Sequence, residues 1–146
     1  MHGRVSGRGG AVTRTVTQLS EAWLVGKPVH GRYDADVPEM SPVQQQLDAF
    51  NAHDLDGFIS CYASDVVVRH GDGREILTGH DGMRGFYGPF INDPKLHAEV
   101  VNRLHSGDWV VDEEHTVWTG GEVQALVAYE VRDGLIQTMV MLGGPV

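Results

Sequence analysis

Residues 50–70, FNAHDLDGFISCYASDVVVRH, hold a helix end, a tight linker, a second short helix, a turn and a first strand. Leu55, Phe58, Ile59 and Tyr62 recur at i, i+3, i+4 and i+7, the spacing of one helical face, and Asp54 stands where a carboxylate can cap that helix. Val66-Val67-Val68 is β-branched throughout and reads as the first strand. The stretch then ends on His70. A strand running out from under two helices is a natural pocket wall, and a titratable group at its end can do acid–base chemistry.

Upstream, Ser41-Pro42-Val43-Gln44 reads as a capping box with proline at the first helical position. In that motif the serine hydroxyl and the Gln44 side chain each satisfy a backbone N–H. Val43, Leu47 and Phe50 keep helical spacing, which predicts a first helix to about Ala52. Downstream, His70-Gly71-Asp72-Gly73 supplies a turn and Glu75–Thr78 a short strand. A third helix follows Gly79, with Met83, Phe86, Tyr87 and Phe90 on one stripe, and ends at Asn92-Asp93-Pro94. Four alternating segments remain: Leu96–Leu104, Trp109–Trp118, Val123–Val131 and Leu135–Leu142. Short glycine turns join them into an antiparallel meander. Helices first and a meander after is an α+β layout, a strongly curved, mostly antiparallel sheet wrapped around three helices.

The chain has 146 residues, one domain's worth, with 41% hydrophobic and 21% charged residues, an ordinary globular balance. Its net charge of −9 is uneven: residues 1–40 carry five basic and four acidic side chains, residues 41–146 six and sixteen. So acidic a domain repels phosphate backbones, which argues against a nucleic-acid partner. Cys61 is the single cysteine, so no intrachain disulfide can form, consistent with a reducing compartment. No apolar run approaches a membrane span, and the N-terminus lacks the apolar core of a secretory signal. A cytoplasmic protein is expected. Residues 1–40 are Gly/Arg-rich and then proline-punctuated without periodicity, and read as a flexible or loosely docked extension before a domain at 41–146. The alternative is an arm that packs Trp23 and Leu24 onto a partner subunit.

AFNAHDLDGFISCYASDVVV, the helix start TGHDGMRGFY and the closing YEVRDGLIQTMV hairpin resemble the SnoaL-like and ketosteroid-isomerase-like members of the nuclear transport factor 2-like superfamily. The resemblance covers about Ser41 to Leu142. It implies a cone-shaped fold, a small apolar molecule held in the cone, and a homodimer through the outer sheet face. The same fold hosts isomerases, cyclases, dehydratases, hydrolases and non-catalytic binders, so activity does not follow from it. Ketosteroid isomerase uses an aspartate base with a tyrosine and a protonated aspartic acid on the oxyanion. The matching positions here are His70 for the base, Gln46 for the tyrosine and about Val127 for the aspartic acid. The base position keeps a titratable group, while both oxyanion positions lose their acidic donors. Gln46 retains only an amide N–H.

Three sets of residues are candidates for the site. An imidazole can take or give a proton near neutral pH, which makes His70 the candidate general base. Asp112 and Glu114 share a strand face with Thr116 and Trp118, and alternation alone leaves open whether that face is inward. The resemblance puts the two carboxylates at pocket-lining positions. Together in a dry cone they resist joint ionisation, so one pKa rises and a neutral acid stands beside a charged one. Phe50, Phe58, Tyr62, Phe86, Tyr87, Trp118 and Tyr129 fall where the cone wall would be, although core packing alone accounts for most of them. Met139 and Met141 fit either the pocket or a dimer contact.

No metal is expected. His97-x-Glu99 offers two ligands without a third, and His53, His80, His105 and His115 read as solvent-exposed. No Ser-His-Asp signature, phosphate loop or dinucleotide fingerprint is present, so no cofactor is expected either. Proton transfer on a small apolar substrate fits these residues best. The alternatives are a non-catalytic ligand-binding module and a dimerisation domain with the same cone. Epoxide hydration, also found in the superfamily, fits less well: that site uses an Asp–Arg–Asp arrangement, and the sequence places no arginine inside.

Overall fold

The computed structural model describes residues 41–143. Helix α1 spans Pro42–Asn51, α2 Leu55–Ser60 and α3 Gly79–Ile91; strands are β1 Tyr62–His70, β2 Glu75–Thr78, β3 His97–Ser106, β4 Trp109–Trp118, β5 Gly121–Arg132 and β6 Leu135–Met141. The expected extension over residues 1–40, with Trp23 and Leu24, lies outside the described residues.

The six strands form one sheet in the order β2-β1-β6-β5-β4-β3. β3 to β6 are the expected meander, and only β1 against β6 is parallel. The fold is therefore α+β with a curled, mostly antiparallel sheet. Its core includes Val43, Phe58, Val66, Val68, Met83, Ile91 and Ile136, all at most 2% exposed. Burying side chains of this kind contributes about 1.5–3 kcal/mol each before conformational entropy is charged.

Local chemistry sets the helix starts. The Ser41 hydroxyl accepts from Val43 N at 3.2 Å, and the Asp54 carboxylate from Gly57 N at 3.0 Å. A β-carbon on Gly57 would meet Asp54 Oδ2 at 2.3 Å, so glycine is what lets that cap close. The reciprocal half of the expected capping box does not form. Gln44 instead donates to Asp48 at 2.9 Å and accepts from Arg103 at 2.7 Å.

Two local readings are corrected. Tyr62 begins β1 rather than closing α2. Its strand is set by tertiary pairing, with Tyr62 beside Ile136 and Ile136 N donating to Cys61 O at 3.0 Å, which overrides the weak strand propensity of Ala63-Ser64-Asp65. In β3, an extra residue between Val100 and Asn102 breaks the alternation. Without it Leu104 would face inward with Ala98 and Val100. With it Arg103 turns inward, 2% exposed, and Leu104 outward, 50% exposed.

Candidate functional site

The sheet and the three helices enclose a cavity of about 440 Å³, within the range that small-molecule sites occupy. Glu114, Thr116 and Trp118 of β4 line it, so the face left open by alternation is the inner one. Aromatic rings make much of the wall. Phe50 and Phe58 stand 5.5 Å apart and Phe58 and Tyr87 4.9 Å apart, centroid to centroid, while Phe90 meets Trp118 edge-on at 6.1 Å. Phe86, on the same α3 stripe, lines the cavity although it is 45% exposed. Val127, Met139 and Met141 line it from β5 and β6.

The polar end of the cavity is built by four side chains from four elements. Gln46, 4% exposed on α1, donates its amide N–H to Val43 O at 3.0 Å. A carbonyl can only accept, so this bond fixes the amide orientation. Gln46 Oε1 then accepts from the Tyr62 hydroxyl at 3.0 Å, and Gln46 Nε2 lies 3.4 Å from the Tyr129 hydroxyl as its donor. Tyr129 in turn donates to Glu114 Oε2 at 2.6 Å, a short charge-assisted bond. Among the described residues, Glu114 Oε1 has no hydrogen-bond partner.

Electrostatics separate this end from its neighbours. Burial raises the Glu114 carboxyl to about 7; the Tyr129 bond opposes that rise, Asp112 adds to it, and Arg103 counters it. Burial also pushes the Tyr62 and Tyr129 phenols well up, so both remain protonated donors at neutral pH. The Tyr87 phenol rises for the same reason.

Asp112 shares the inner face of β4 with Glu114 but does not line the cavity. It is fully buried, and Arg103 grips it with Nε to Oδ1 at 2.6 Å and Nη2 to Oδ2 at 2.9 Å. Burial raises this carboxyl and the guanidinium pulls it back down. Sequence reasoning missed Arg103 because the bulge in β3 reverses its face. The expectation of an acid pair in the cone is thus corrected: Arg103 takes up one carboxylate, and the other faces the cavity alone.

His70 is not among the cavity-lining residues. It is the last residue of β1, beside Met141 of β6, and its Nδ1 lies 3.5 Å from Asp72 Oδ1 in the β1–β2 turn. The structure therefore does not bring His70 together with Glu114 and Tyr129. Three other histidines depart from the solvent-exposed reading, among them His115, half-buried with its Nε2 2.7 Å from Glu122 Oε2. His53 Nδ1 lies 2.7 Å from Ile91 O and His80 Nε2 2.7 Å from Tyr62 O, each half-buried between chain segments. Among the described residues no group of three or more His, Cys, Asp or Glu could hold a metal ion, and no helix is long and apolar enough to cross a membrane.

The curled sheet packed on a few helices is a fold that comparison with known proteins finds again. The chain belongs to the SnoaL-like domain family, which it matches over residues 43–139. Similar solved structures include a cystatin fold protein from Novosphingobium aromaticivorans, 19% identical, covering 73% of this chain and 99% of that one at a TM-score of 0.65. A computationally designed 17-OHP binder is 24% identical, covering 73% of this chain and 92% of that one at 0.60. A Mycobacterium tuberculosis protein in complex with estradiol-17beta-hemisuccinate is 25% identical, covering 68% of this chain and 88% of that one at 0.57. No curated protein matches the chain.

Proposed function

We propose that the chain is a small-molecule pocket protein that takes a compact, mostly apolar ligand and exchanges a proton with it through Glu114. The observation that carries this reading is the Glu114–Tyr129 pair. It sets one cavity-facing carboxyl, with a pKa of about 7, on an otherwise largely aromatic and aliphatic wall. A group that is half ionised at neutral pH can both take and return a proton. The volume suits a fused-ring molecule, and the estradiol ester held by the Mycobacterium tuberculosis protein is of that kind.

His70, which the family resemblance suggests as base, supports the reading only from outside the cavity lining, so the proton-transfer role falls to Glu114. The test is deuterium uptake from heavy water into an enolisable cyclic ketone, followed by NMR with the wild type and with Glu114→Gln. Uptake by the wild type that is lost in the variant is expected. Equal uptake by both proteins would remove Glu114 from the mechanism.

A non-catalytic binding module is the second reading, and one observation favours it. At the position matched to the oxyanion tyrosine, the Gln46 amide already serves Val43 O and Tyr129. A developing enolate would find little help there. Saturable binding of the ketone with no deuterium uptake supports this second reading. A cytoplasmic location and a homodimer are part of the same proposal. The outward-facing Leu104 and Leu126, with Val101 in the β3 bulge, support an outer-sheet contact.

A further inference from the structure

The hydrogen bonds at the polar end all run one way. Val43 O fixes the Gln46 amide, the amide fixes Tyr62 as donor, and Tyr129 accepts from Gln46 and donates to Glu114. Neither Tyr62 nor Tyr129 can turn its single hydrogen to a ligand without breaking this chain. Glu114 Oε2 is capped by Tyr129, so Oε1 is the valence left open towards a ligand. Its character depends on its charge: a carboxylate oxygen only accepts, whereas a neutral acid carries its proton on the uncapped oxygen and donates.

We propose that Glu114 Oε1 reads the ligand's polar group as a protonation-controlled donor–acceptor switch: the ionised carboxylate selects a hydroxyl over a carbonyl, and the neutral acid, a donor, admits either. This rests on the small-molecule pocket reading above and adds the class of polar group that the ligand presents. The groups acting on Glu114 are Asp112 on its own strand, Arg103 on β3, Tyr129 on β5, Tyr62 on β1 and Tyr87 on α3. The three phenols stay neutral through the neutral range because burial raises them. Asp112 remains locked on Arg103. Glu114 is therefore the member of the set that changes charge near pH 7. The Tyr87 hydroxyl, 7% exposed and without a hydrogen-bond partner among the described residues, can donate to either kind of ligand and so does not discriminate between them.

The test uses 5α-androstan-17β-ol and 5α-androstan-17-one, one skeleton with one polar group each. Their affinities for the full chain are read by quenching of tryptophan fluorescence, since Trp118 lines the cavity. At about pH 8.5 the alcohol is expected to bind roughly tenfold tighter than the ketone, and at about pH 5.5 that preference falls away. Glu114→Gln, with its oxygen on Tyr129 and its amide N–H₂ towards the ligand, is expected to bind the two steroids alike at both pH values. Tyr129→Phe removes the bond that favours ionisation and should move the loss of the alcohol preference to higher pH. Binding of both steroids with a pH-independent ratio overturns the switch but leaves the pocket reading intact. Binding of neither steroid overturns the switch together with the pocket reading.

Discussion

Asp112 and Glu114 lie two residues apart on the same face of β4, yet one is sealed into the structure and the other faces a cavity. The difference lies on the neighbouring strands. In the β3–β4–β5 ladder Asp112 pairs with Arg103 on one side and Val127 on the other, while Glu114 pairs with Val100 and Ala125. Arg103 supplies Asp112 with a guanidinium that neutralises it. Beside Glu114 the neighbours are small and apolar, and among the described residues its hydrogen bond comes from the Tyr129 hydroxyl one layer away, with Arg103 acting only at a distance. A carboxylate that is paired and covered has little freedom to change charge. One that is desolvated and held by a single neutral donor sits near its titration point. One residue of bulge in β3 turns Arg103 inward and so gives Asp112 its cation.

The largest effect should come from breaking the sealed pair. Arg103→Met leaves Asp112 buried without its cation and should destabilise the fold by about 3–5 kcal/mol in urea unfolding. Adding Asp112→Leu should recover most of that loss, since an apolar pair of similar volume needs no partner. Failure of the second change to restore stability would show that the ion pair does more than neutralise itself.

The cavity side is tested next by a pH difference whose sign is fixed. Glu114 titrates near 7 in the fold, against 4.5 as its ordinary value, so between those pH values the native state holds more of its proton than the unfolded state. Wild-type stability should therefore fall as pH rises from about 4.5 to about 7, by roughly 2–3 kcal/mol from this group. Glu114→Gln should lack that loss. It should match the wild type near the acid end of the window and exceed it by a similar margin at about pH 8. A difference between the two proteins that stays constant with pH would contradict a raised carboxyl.

Smaller effects follow. Tyr129→Phe removes the hydroxyl bonded to Glu114 and should cost about 1–2 kcal/mol in unfolding measurements at neutral pH. His70→Ala changes a partly exposed side chain beside a turn. It should alter stability by no more than about 0.5 kcal/mol and leave ligand affinity unchanged. A large loss of binding on removal of His70 would move the chemistry back towards the end of β1.

The elements that sequence reveals best here are those whose local signals agree. Ser41-Pro42 and Asp54 mark helix starts that the structure keeps, and the glycine turns after β3, β4 and β5 mark the meander. Parity then carries the inner face of β4 to the cavity. What escapes the sequence is set by tertiary pairing: the β3 bulge that turns Arg103 inward, the β6 partner that draws Tyr62 into β1, and the Val43 carbonyl that orients Gln46. The place of His70 at a strand end is legible too, but the turn that sets its ring beside Asp72 depends on packing that spacing does not encode.

The most direct measurement is the titration of the Glu114 side-chain carboxyl itself, followed by ¹³C NMR of glutamate-labelled protein with Glu114→Gln to assign the signal. A midpoint near 7 is the predicted result, and a midpoint near 4.5 would contradict the account of a desolvated, cavity-facing acid.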